Sequence, residues 1–101
     1  MEDNKVHVEG TVKRDASAVS PRASLRVMDF CLVVRDVDGA PDVFVDCFAT
    51  KEAVDMLDGF VSEGERLGVD GHLTFRTYTT DNGRKRSGLV VQVEDAYEIG
   101  E

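Results

Sequence analysis

The sequence has no tryptophan, and only two cysteines, two prolines and two histidines in 101 residues. Cys31 and Cys47 lie in apolar stretches and are too few for a disulfide scaffold. They read as reduced, buried thiols of a cytoplasmic protein. With His7 and His72 they show none of the paired spacing of a zinc site, so neither a metal nor a cofactor is expected. No apolar run approaches the roughly 20 residues that cross a bilayer, which argues against a membrane partner. The acidic opening Met1-Glu2-Asp3-Asn4-Lys5 is no secretory signal. There is no glycine-rich phosphate loop and no recognisable nucleophile motif. The carboxylate pairs Asp36/Asp38 and Asp55/Asp58 read as a charged turn and a solvated helix face, so no enzyme is expected. Positive charge is also scarce. Twelve Lys and Arg stand against twenty Asp and Glu, a net charge of −8 that, taken as a sum, disfavours a polyanionic partner.

What is present is one domain's worth of patterned sequence, residues 1–101, with 42% apolar residues. Val6, Val8, Gly10 and Val12 alternate with polar residues, which predicts a half-buried strand. Residues 15–24 break the pattern and predict a loop. Leu25 to Arg35 predicts a long strand with Met28, Phe30, Leu32 and Val34 inward. A turn over 36–41 leads to a strand over Asp42 to Ala49, with Val43, Val45 and Cys47 opposite Phe44, Asp46 and Phe48. Ala53, Val54, Leu57, Phe60 and Val61 then recur at helical spacing. This predicts a helix over about Lys51 to Ser62, capped by Thr50, stopped near Gly64 and burying Phe60. Period two returns over Arg66 to Thr80, which places Phe75 inside. Asp81-Asn82-Gly83 predicts a hairpin tip, and Leu89 to Glu98 a last strand with Val91, Val93 and Tyr97 on one face. Five strands with one helix between the third and fourth is the order of an OB-fold, an all-β, five-stranded Greek-key barrel.

Specific residues extend the pattern. Asn4-Lys5-Val6 with Gly10 and Arg14-Asp15, Phe44-Val45-Asp46-Cys47-Phe48-Ala49, Gly64 with Leu67-Gly68-Val69-Asp70-Gly71-His72-Leu73, Arg76-Thr77-Tyr78 and Asp81-Asn82-Gly83 occur in that order. Together, over about residues 4 to 99, they resemble bacterial single-stranded DNA-binding proteins. The resemblance implies an OB-fold that binds single-stranded DNA without strong sequence preference. It also implies a homo-oligomer, dimer or tetramer, working with replication or repair proteins on nucleoid or plasmid DNA. Phe44 and Tyr78 match the family's stacking positions. Two departures stand out. The loop over 36–41 has no aromatic where the family often carries one, and a late third-strand aromatic falls at Thr50. The chain also stops at Glu101 without the family's flexible tail, which fits either a truncated member or the short, tailless one expected here.

Charge distribution points the same way as the resemblance. Over Leu73 to Val93 the bases Arg76, Arg84, Lys85 and Arg86 face only Asp81, a net +3, whereas Lys51 to Asp70 carries −4. Single-strand binding needs basic side chains along the backbone and aromatic faces for the bases. The candidate site is therefore Phe44 and Tyr78 for stacking, with Lys13, Arg14, Arg35, Arg76, Arg84, Lys85 and Arg86 on phosphates. The alternative is an OB-fold protein-interaction module that has lost most DNA binding. Acidic residues breaking the basic groove would favour it.

Overall fold

The computed structural model describes residues 3–22, 25–35, 38–79 and 83–100. Its elements run β1 (Val6–Val12), β2 (Val19–Arg22), β3 (Leu25–Val34), β4 (Val43–Thr50), α1 (Glu52–Leu57), β5 (Arg66–Thr79) and β6 (Lys85–Glu98). The hydrogen-bonded order is β1-β5-β6-β4-β3-β2, and β1 pairs again with β3 through Thr11↔Val33 and Val12↔Leu32. That second pairing closes β1, β5, β6, β4 and β3 into a barrel, joined by a parallel β4–β6 contact at Cys47↔Val91. The architecture is an OB-fold. Closure removes the exposed edges that an open five-stranded sheet would present.

The interior follows the alternation. Val12, Met28, Leu32, Cys47, Leu67, Val69 and Val91 are all 2% exposed or less, and α1 adds Val54 and Leu57. Alpha-1 lies against β6, β4 and β3 and plugs one end of the barrel. Asn4 fixes the β5 edge. Its side-chain amide donates to the Leu73 carbonyl and its carbonyl accepts the Leu73 N–H, both at 2.8 Å.

Several expectations are corrected. Residues 15–24 are not wholly loop, because Val19–Arg22 adds a short sixth strand on β3. Pro21 within it, and the lack of alternation, hid this strand. The helix ends at Leu57, not near Ser62. Gly59 takes φ 87°, a conformation open to glycine, and turns the chain out before Gly64. Phe60 is consequently 47% exposed rather than core. The position before the helix is Lys51, at φ 52°, with no side-chain cap, rather than Thr50. The last strand starts at Lys85, not Leu89. Tyr97 does not share the inner face of Val91 and Val93. A register shift at Asp70/Gly71 makes an extra residue on β6, so Ala96 turns inward and Tyr97 outward. Phe75 keeps its inward parity but is 69% exposed, because the β5–β6 hairpin has by then run past the end of the barrel. The predicted hairpin tip at Asp81-Asn82 and the turn residue Asp36 lie outside the described residues.

Candidate nucleic-acid interface

Antiparallel register decides which side chains share the outer face. Phe44, Asp46 and Phe48 on β4 oppose Val33, Cys31 and Asp29 on β3. The β5–β6 register places Arg76, and from β6 Arg86 and Val90, on the same side. An open groove of about 550 Å3 runs along this face. Lys13, Arg14 and Arg86 line it, with Phe44 as its exposed aromatic. Lys13 Nζ stands 4.8 Å from the centre of the Phe44 ring, a cation–π contact that leaves the ring 59% exposed.

The same groove carries Asp15, Asp29 and Asp46. Asp15 accepts the Glu63 backbone N–H at 2.7 Å, tying the segment after β1 to the loop after α1. Asp29 holds Arg76 at 2.5 Å, and the Arg76 guanidinium carbon lies 3.6 Å from the centre of the Phe48 ring. Phe48 is half-buried on the groove face, roofed by Arg76. Its parity with Phe44 was the signal for that face. Burial raises the Cys31 thiol, with a contribution from Asp46, and pushes Cys47 up to about 12, so both stay protonated. Cys47 is buried, whereas Cys31 is only half-buried.

Of the expected phosphate contacts, Lys13, Arg14 and Arg86 come together in the groove, and Arg76 adjoins it through Asp29. Arg84 and Lys85 are exposed at the start of the last strand, and Lys85 alternates to the face opposite Arg86. Arg35 stands at the end of β3, 4.0 Å from Asp42, and does not line the groove. Tyr78 lies on β5 opposite Arg86, but its side chain is outside the described residues.

A family model described as the single-strand binding protein family matches residues 3–99. The chain belongs to the single-strand binding protein family. Relatives in this family include Single-stranded DNA-binding protein 1 of Staphylococcus aureus strain COL and Single-stranded DNA-binding protein 2 of strain MSSA476. Each is 26% identical to this chain over 87 residues, covering 81% of this chain and 52% of the relative. The chain thus spans about half the length of these single-strand binding relatives. Among the described residues, no helix is long and apolar enough to cross a membrane.

Proposed function

We propose that this chain binds single-stranded DNA, without strong sequence preference, in replication, repair or recombination. The observation that carries the reading is Phe44: an exposed aromatic face beside Lys13, in a groove that also collects Arg14 and Arg86. Bases would stack on the ring while the backbone follows the three cations. Family membership and the names of the relatives support the same ligand. The loop over 36–41 and Thr50 carry no aromatic ring, so binding is weaker than with rings at those two positions. Each missing platform costs about 1–3 kcal/mol. A homo-oligomer belongs to this reading. Phe75 and Leu89, directly opposed on the β5–β6 hairpin, are 69% and 66% exposed, an apolar pair suited to burial against another copy.

Titrating labelled oligo-dT by fluorescence anisotropy at several salt concentrations tests the proposal. Three phosphate contacts give a slope of about −2 for log K against log salt. No binding at about 20 mM salt and high micromolar protein would refute it. A second reading, a protein-interaction module on the same barrel, is favoured by one observation: Asp15, Asp29 and Asp46 interrupt the basic groove. That reading predicts the negative titration.

A further inference from the structure

We infer that the acidic end of the barrel is a docking site for a basic protein segment carrying one large apolar anchor. The site is distinct from the groove and does not depend on what the groove binds. Met56, Phe60 and Tyr97 are 39%, 47% and 41% exposed, and they gather at one place. They wall an open recess of about 230 Å3 floored by Leu57, Leu67 and Ala96. Singly exposed apolar residues are ordinary, whereas a cluster around a recess marks an interaction surface. The recess is smaller than the roughly 300–1,000 Å3 of small-molecule sites, so it suits a single side chain rather than a free ligand.

Two devices hold the walls apart. The short helix stops at Leu57, and the turn through Gly59 swings Phe60 outward, its N–H on the Leu57 carbonyl at 2.9 Å. On the other side the Tyr97 ring lies across Gly68, where a Cβ would fall 2.3 Å from a ring carbon. The same ring stacks on His7, centroids 6.3 Å apart and planes 19° apart. A preformed recess spares an incoming side chain the cost of opening it.

Charge selects the occupant. Residues 51–70 and 94–100, the segments from which the recess lining comes, carry nine carboxylates against Lys51 and Arg66, with Arg26 of β3 brought in beside them. Glu98 lines the recess itself. Asp55 and Asp58, on either side of Met56 in sequence, already hold a guanidinium: Arg26 donates to them at 2.7 and 2.9 Å. This end repels nucleic acid and attracts a cationic polypeptide. The partner is accordingly a segment with Lys or Arg around one Phe, Leu or Met.

The test is to pan phage-displayed random 12-residue peptides against the whole protein, then synthesise the selected sequences and measure their binding by calorimetry. The expected peptides combine basic residues with one apolar anchor. They bind at least tenfold more weakly to Met56→Glu and to Glu98→Lys, weaken with salt, and bind Phe44→Ala normally. Circular dichroism melts of each variant separate lost binding from lost folding, and Glu98→Lys leaves the apolar walls intact. Selected peptides without basic residues, or binding equally to both variants, overturn the proposal. So does self-association of the protein that Met56→Glu abolishes in sedimentation, since the recess would then hold a second copy.

Discussion

His7 stands between two carboxylates, 2.6 Å from Asp70 and 3.1 Å from Glu9. Hydrogen bonding to Asp70 first, then to Glu9, raises its pKa above 6.5. A raised folded-state pKa means that the protonated ring favours the native state. The contribution is fully present below about pH 6.5 and disappears as pH climbs through the raised value. Thermal melts of wild type and His7→Gln from pH 5.5 to 8.5 should show the largest gap at the acid end, narrowing upward; a constant gap contradicts the assignment. At the groove, Asp29 takes up a positive charge that a phosphate would otherwise meet, by pairing with Arg76. Asn at this position keeps the shape and removes the charge. Exposed pairs contribute about 0–1 kcal/mol, so Asp29→Asn should tighten oligo-dT binding about 2- to 5-fold in the anisotropy titration. Weaker binding would show that Asp29 is needed to position Arg76.

The strain of the fold is carried where β4 meets α1. Lys51 adopts φ 52° and ψ −121°, a region that glycine tolerates and lysine does not, while its N–H still reaches the Arg26 carbonyl at 3.4 Å. Lys51→Gly keeps that bond and should raise stability by about 1 kcal/mol in urea unfolding; destabilisation would contradict the strain assignment. Element by element, the sequence was readable wherever alternation met a closed core. Met28, Phe30 and Leu32 inward, with Phe44 and Asp46 outward, followed from parity alone. It was unreadable where something non-periodic intervened. Gly59 and Gly64 are equivalent stop signals until packing chooses between them. The extra β6 residue that turns Tyr97 outward leaves no trace in the hydrophobic pattern. Phe75 has core parity, but nothing local records where the barrel ends. In the candidate site, Lys13, Arg14, Phe44 and Arg86 were anticipated together, whereas Phe48 beneath Arg76 and the three interrupting aspartates needed the register of four strands.

At the scale of the whole molecule, the −8 charge is unevenly distributed, although Asp15, Asp29 and Asp46 also stand in the groove. Carboxylates outnumber cations on α1, its exit loop and the end of β6, whereas the groove matches Lys13, Arg14 and Arg86 against three aspartates and the β5–β6 hairpin is basic. With screening over about 8 Å at physiological salt, the two ends act as separate surfaces. The hairpin's apolar pair gives a prediction at this scale. Sedimentation equilibrium should find an oligomer that Phe75→Asp reduces to a monomer, and an unchanged mass for the variant would remove Phe75 from the interface. On the proposed reading the groove face, and not the acidic end, engages single-stranded DNA through Phe44. The most direct measurement is oligo-dT affinity at low salt for Phe44→Ala, Phe44→Trp and, at the acidic end, Phe60→Ala. Phe44→Ala should lose about 5- to 150-fold in affinity, with affinity kept in the other two. Equal affinity for Phe44→Ala and wild type would contradict that reading.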